Sequence, residues 1–238
     1  MLIGSESLHK NFTPHWLGLV PYNEALNLQL KYWQQVRENP HQTILLGLEH
    51  PTTITLGKRG KVEEDLKISE QDVSANHWSL HTVDRGGQAT LHSPGQLVVY
   101  PIVCLETWKI DIKCFVHLIH KSALELLAQL NIPAEIKNGV GIYTEHGKIC
   151  FSGLRIEHGV SRHGMSLNVS NDLKLFDCIS SCGVNKASLD SIHEFYSREN
   201  RNQRDLNLLS PQNLFESWTQ IFKTNLENHR LGKNKTCT

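Results

Sequence analysis

Asp84-Arg85-Gly86-Gly87-Gln88-Ala89-Thr90-Leu91-His92-Ser93-Pro94-Gly95-Gln96 is the densest run of special residues in the chain. Adjacent glycines let backbone approach a ligand with no Cβ in the way, and their N–H groups can line a pocket or hold an anionic group. His92 reads as a substrate contact or a proton carrier. The plainer reading is a connection between two strands, with glycine and proline setting its turns. The pattern predicts a strand at residues 80–83 entering the run and another at 97–103 leaving it.

Outward from this run, strands and helices are mixed. Upstream, the pattern predicts a helix over 24–37, capped by Asn23, with Leu26, Leu30 and Trp33 on one face and Asn39-Pro40 as its stop. Strands are predicted at 43–48 and 52–56, followed by a polar surface loop over 58–76. Downstream, 112–130 reads as a strongly amphipathic helix. Residues 140–143, 148–156 and 165–169 are β-prone, the first two as a hairpin. After Cys182 the chain reads as irregular and polar until a last helix, which Ser210 caps and Pro211 begins, with Leu214, Trp218, Ile221 and Phe222 on one face. There is no steady alternation of the kind a doubly wound parallel sheet needs. The expected class is therefore α+β, a mixed, largely antiparallel sheet flanked by helices. A length of 238 residues suffices for one large domain or two small ones. We read a single catalytic domain over 1–238, with the special residues at about 43–192 and a C-terminal helix at about 211–227.

Lys plus Arg and Asp plus Glu both number 24, so the formal net charge is zero, which argues against a broad grip on nucleic acid or anionic membrane. No run approaches the roughly 20 apolar residues of a membrane-spanning helix. The first twenty residues, interrupted by Glu6, His9, Lys10, Asn11 and Pro14, lack the order of a signal peptide. The expected location is the cytoplasm, where Cys104, Cys114, Cys150, Cys178, Cys182 and Cys237 would all be free thiols.

Cys182 stands beside Gly183, which leaves room for a substrate near the sulfur, although a lone cysteine is more often a small core filler than a nucleophile. Cys178 with His163 or His193 would make only an incomplete zinc site, so no metal is assigned. Lys148 opens an apolar strand; by itself it reads as an edge lysine that snorkels to water.

Taken in order, these segments resemble the lipoyl(octanoyl) transferases, the octanoyl-acyl-carrier-protein:protein N-octanoyltransferases. Leu48-Glu49-His50-Pro51 with Thr55-Leu56-Gly57 is similar to the family's early E-H-P…T-x-G segment. Arg85 to Gln96 is similar to its R-G-G-x-x-T-x-H-G-P-G-Q signature. Gly139-Val140, Lys148-Ile149 and Gly153-Leu154-Arg155-Ile156 resemble the central segment. His163-Gly164-Met165-Ser166-Leu167-Asn168-Val169, Asp172-Leu173, Phe176 and Cys182-Gly183-Val184 resemble the last. The matches run from about residue 48 to 192.

The resemblance implies the biotin/lipoate protein ligase-like fold. It implies that Cys182 is the acyl-thioester nucleophile and that Lys148 lowers its pKa and serves as acid and base. The acyl pocket would comprise Arg85, Gly86, Gly87, Gln88, Ala89, Thr90, Leu91 and His92, then Phe151, Ser152 and Gly153, then Gly164, Met165 and Ser166. The implied donor is octanoyl-acyl carrier protein. The implied acceptors are lipoyl domains of 2-oxoacid dehydrogenases and the glycine cleavage H protein. No cofactor, nucleic acid or membrane is implied, and the chain is expected to act as a monomer. A free thiol of pKa about 8.5 is only a few per cent ionised at neutral pH; lowering it by two units takes about 2.7 kcal/mol, within reach of a partly desolvated ammonium. Ser93 departs from the family's glycine and leaves that loop less able to adopt positive φ. Phe151-Ser152 replaces a small and aliphatic pair and is expected to shorten or reshape the pocket. Ser181 and Ala187-Ser188-Leu189 depart beside the nucleophile. Two rival readings are an ATP-dependent lipoate–protein ligase and a non-catalytic module that binds acyl carrier or lipoyl domains.

Overall fold

A strand covered on both faces reads as an unbroken apolar run, and residues 44–48 and 97–103 are nearly such runs. The computed structural model describes residues 12–137, 141–180, 188–199 and 209–233. In chain order the first elements are β1 (Phe12–Leu19), α1 (Tyr22–Glu38), β2 (Thr43–Glu49), β3 (Thr53–Leu56), α2 (Val62–Asp65) and α3 (Glu70–Ala75). Then come β4 (Ser79–Thr82), β5 (Ala89–His92), β6 (Gln96–Val103), α4 (Leu105–Trp108) and α5 (Ile112–Gln129). The last are β7 (Glu135–Lys137), β8 (Gly141–Tyr143), β9 (Lys148–Glu157), β10 (Val160–Asn168), α6 (Ile192–Arg198) and α7 (Pro211–Arg230).

Seven strands form one sheet in the order β1-β2-β6-β10-β9-β8-β7, and β4-β3-β5 form a smaller one. Among the described strands only β1/β2 and β3/β4 pair parallel, which makes the architecture the expected mixed, largely antiparallel one. Side chains alternate across the large sheet. Leu45, Leu97, Val99 and Val103 pack with Phe115, Ile119, Trp218 and Phe222 of α5 and α7 on one face. Ile44, Leu46, Leu48, Val98, Tyr100 and Ile102 pack with Ala25 and Val36 of α1 on the other. The small sheet has its own apolar cluster, Ile54, Leu56, Leu91, Phe151 and Phe176.

Several boundaries differ from the sequence reading. Helix α1 begins at Tyr22, after Pro21, and no side chain caps it. Proline pre-sets the backbone there, so Asn23 is not needed as the cap. Its buried stripe is Tyr22, Ala25, Gln29 and Val36, leaving Leu30 at 42 % exposure. The expected loop over 58–76 contains α2 and α3; Ser69 and Asp72 form a reciprocal capping box on α3. Asp111 caps α5, and α6 forms in a stretch read as irregular. The Ser210 cap and the apolar face of α7 are as read. Strand β1, with its Pro14 and exposed positions, lies at the sheet edge, where proline is tolerated.

A Cβ on Gly47 would overlap the ring of Phe215. Gly47→Ala is expected to lower unfolding free energy by about 1–3 kcal/mol, and Phe215→Leu in the same chain to recover part of that loss, both read by denaturant titration. His50 Nδ1–H donates to the Val20 carbonyl at 2.6 Å, so its Nε2 accepts from the Tyr100 hydroxyl at 2.8 Å. Burial pushes the His50 pKa down to about 4. The unfolded chain, titrating near 6.5, therefore binds the extra proton between these values, and stability falls as pH drops from about 6.5 towards 4. Unfolding at pH 7 and pH 5 is expected to differ by about 2 kcal/mol through this group alone, and the His50→Gln chain to show a correspondingly flatter profile.

Candidate active site

Lys148 opens β9 and is 3 % exposed. Its stem fits because Gly141, across the β8–β9 hairpin, has no Cβ: one there would overlap Lys148 Cε. The ammonium lies 4.6 Å from the centre of the Phe151 ring and 5.6 Å from that of Tyr143. The Lys148 backbone pairs with the segment after Cys182. Its N–H donates to Ser188 O at 2.8 Å, and its carbonyl accepts from Asp190 N at 3.0 Å. Lys148 and Leu189 thus form a parallel bridge. Gly147 permits this approach, since a Cβ would strike the Ser188 carbonyl.

Cys182 itself lies outside the described residues. The chain before it is held by Ser180 N to Asp65 O at 2.8 Å and by a bridge between Leu66 and Ile179. Two other thiols are ill suited to attack at neutral pH. Burial pushes Cys150 up to about 12 against the pull of Lys148, and Cys178 up to about 11. Cys104, Cys150 and Cys178 are free thiols, but Cys114 is disulfide-bonded, which corrects the expectation of six free thiols. Among the described residues no group of His, Cys, Asp or Glu is arranged to hold a metal.

A cavity of about 530 Å³ opens beside Lys148, in the usual range for small-molecule sites. Its walls include Arg85, Gly86, Gly87, Gln88, Ala89, Thr90, His92, Phe151, Ser152, Gly153, Gly164, Met165 and Ser166. Leu91 faces away: it is fully buried in the small-sheet cluster with Ile54 and Phe176. Arg85 turns its guanidinium onto Thr55, with Nε and Nη2 bonding Oγ1 at 3.1 and 2.8 Å and Nη2 also bonding the carbonyl at 2.7 Å. The Gly86-Gly87 segment can lie on β9 because Gly153 has no side chain; a Cβ would stand 2.9 Å from the Gly86 carbonyl oxygen. At Gly164 a Cβ would overlap the Val99 carbonyl. Ser93 is not in the left-handed region; Gly95, at φ +86°, makes the turn instead, and its N–H donates to the Glu49 carboxylate at 2.5 Å. Phe151 stacks on Phe176 with centroids 5.4 Å apart.

Tyr22, Tyr100 and His163 also line the cavity, and none was in the expected pocket. His163 sits in the H-G pair quoted above, which was the available signal; Tyr22 carries none. His163 has φ +56°, and its Nε2 meets the Asp84 carboxylate at 2.8 Å. Asp84 also accepts from Arg162 at 2.7 Å. Burial and the neighbouring His50 push His92 down to about 3. Burial, His117 and Lys148 push His120 down to about 4, and it bonds Ser152 Oγ at 2.8 Å. These imidazoles are therefore neutral around neutral pH, which limits like-charge repulsion with Lys148.

The family model "Lipoyl protein ligase A/B catalytic domain" matches residues 21–205. An octanoyltransferase of Maridesulfovibrio salexigens is 37 % identical over 77 % of this chain and 86 % of its own length. One from Caldanaerobacter subterraneus subsp. tengcongensis is 35 % identical over 74 % and 77 %. Protein Ta0514 of T. acidophilum, solved with lipoic acid bound, superposes with a TM-score of 0.69 at 16 % identity, over 91 % of this chain and 86 % of that one, a likeness of fold. By the family model and by these identities, the chain belongs to the lipoyl protein ligase A/B catalytic domain family and, within it, to the octanoyltransferases.

Proposed function

We propose that Cys182 accepts an octanoyl group as a thioester and passes it to a lysine of a lipoyl domain, with Lys148 favouring the thiolate and handling the proton. As an octanoyltransferase the chain is an acyltransferase acting in protein lipoylation. What supports the residue roles is the backbone pairing of Lys148 with Leu189, seven positions after Cys182, beside a cavity of about 530 Å³ that Lys148 lines.

In the first step the Cys182 thiolate attacks the carbonyl carbon of octanoyl-acyl carrier protein. A C–S bond forms to Cys182, and the bond to the carrier's sulfur breaks; that sulfur leaves as a thiolate and takes a proton from the Lys148 ammonium, which is left as a neutral amine. In the second step the lysine amine attacks the same carbon. The amide C–N bond forms, the Cys182 sulfur departs as thiolate, and the amine proton passes to Lys148. Exchange of one thioester for another is nearly balanced and amide formation runs downhill, so neither step draws on ATP. Lipoyl domains of 2-oxoacid dehydrogenases and the glycine cleavage H protein are the acceptors in this reading, and the enzyme works as a cytoplasmic monomer. Among the described residues no helix is long and apolar enough to cross a membrane.

Incubated with octanoyl-acyl carrier protein and no ATP, the chain is expected to gain one octanoyl group on the peptide that holds Cys182, read by intact and peptide mass. Cys182→Ser is expected to abolish transfer. Lys148→Ala should lower it by about a hundredfold or more and move the alkylation profile of Cys182 about two pH units higher. A strict need for ATP, or full turnover by Cys182→Ser, overturns the reading.

A further inference from the structure

The cavity wall carries cations and no carboxylate. Among the described residues that line it, Arg59, Arg85 and Lys148 are charged, and none is Asp or Glu. An octanoyl thioester is neutral, so its own charge accounts for none of them. Lys148 is buried beside Phe151 and handles the proton in the proposed reaction. Arg85 is buried and held by Thr55 and by the Gly86 carbonyl. Arg59 differs from both. It is exposed, and its side chain makes no hydrogen bond or ion pair among the described residues. Of the carboxylates that follow it, Glu64 pairs with Lys61 at 2.6 Å, and Asp65 accepts from the Lys61 N–H at 2.9 Å.

The backbone nevertheless fixes where Arg59 stands. Gly57 N donates to Gln88 O at 3.1 Å, Lys58 N to Arg85 O at 3.0 Å and Arg59 N to Gly87 O at 3.1 Å, so successive bonds lace this turn to the glycine run. Gly57 permits the approach, since a Cβ there would stand 2.6 Å from the Gly87 carbonyl oxygen. Among the described residues that line the cavity, only Arg59 and Ile112 are exposed, and they mark its opening. A positioned cation at an opening, with no counter-charge in the wall, draws an anion. The acceptor lysine is itself a cation and gains nothing from Arg59. The donor's thioester, in contrast, is borne on a phosphopantetheine arm. Its phosphate lies about thirteen bonds from the sulfur, on the order of 15 Å when extended and less when folded. The reacting end belongs inside with Lys148, and the phosphate at the opening. A gem-dimethyl carbon stands near the phosphate in the same arm and gives the exposed Ile112 an apolar partner.

We propose that Arg59 binds the phosphate of the donor's phosphopantetheine arm, its guanidinium donating charge-assisted hydrogen bonds to the phosphate oxygens. This rests on the acyl-transfer reading of the same site. It is tested with the full chain and a lipoyl-domain acceptor, without ATP, comparing octanoyl thioesters of pantetheine and of phosphopantetheine. The phosphorylated donor is expected to be preferred about tenfold in kcat/KM, chiefly through KM, and the preference to shrink as salt is raised. Arg59→Gln is expected to bring that ratio close to one, and Arg59→Lys to restore part of it as a point charge. Octanoyl-coenzyme A and octanoyl-acyl carrier protein present the phosphate on different bodies, and Arg59→Gln is expected to raise KM for both. A loss with acyl carrier protein alone overturns the inference, because Arg59 then meets the carrier's surface and not its arm. A ratio that Arg59→Gln leaves unmoved also overturns it, while acyl transfer stands. No transfer from any of these donors overturns the acyl-transfer reading and this inference with it.

Discussion

The site depends on a buried carboxylate. Asp190 has no exposed surface. Its oxygens accept from Thr144 Oγ1 at 2.5 Å, from Ser191 N at 2.9 Å and from the Arg198 guanidinium. Its backbone N–H holds the Lys148 carbonyl, and its carbonyl holds Asn168. Removing a partner from a buried charge costs several kcal/mol, so these contacts stand or fall together. Through them one residue joins the β8–β9 turn, the start of β9, the end of β10 and helix α6. The same residue ends the chain segment that follows Cys182. Position of the lysine and course of that segment are thereby one constraint, not two.

A second constraint is electrostatic. In and around the cavity, several ionisable groups are kept uncharged. His50, His92 and His120 are pushed well below neutrality by burial. Tyr100 is pushed up by burial and by Tyr22. The charged side chains in the wall are Arg59, Arg85, which is tied to Thr55, and Lys148, and the Asp84–Arg162 pair stands behind His163.

Much of this was legible in the chain itself. The central strands showed as apolar runs, helix α7 as a capped amphipathic stretch, and the glycine run as a close approach of backbone to something else. What was hidden depends on contacts distant in sequence. Tyr22 is an unremarked helix start until β-sheet packing sets it among His50, His81 and His92. Leu91 falls within the signature run, but strand alternation turns it into the small-sheet cluster and away from the cavity. Arg85 looks like a ligand contact in sequence; it lines the cavity, and its guanidinium is held by Thr55, thirty residues earlier, and by the Gly86 carbonyl. The Ser93 departure is harmless because the left-handed turn is made two residues later. Such distinctions are tertiary, and local pattern carries no trace of them.

Gly141, Gly147, Gly153 and Gly164 each face backbone or a buried stem where a methyl group would collide. Every single-nucleotide change that alters a glycine codon's meaning adds at least that methyl or ends translation. These four positions are therefore closed to stepwise drift, and a laboratory library that randomises them yields mostly dead clones. Diversity aimed at new acyl donors belongs instead at Val116, which lines the cavity and is only half-buried.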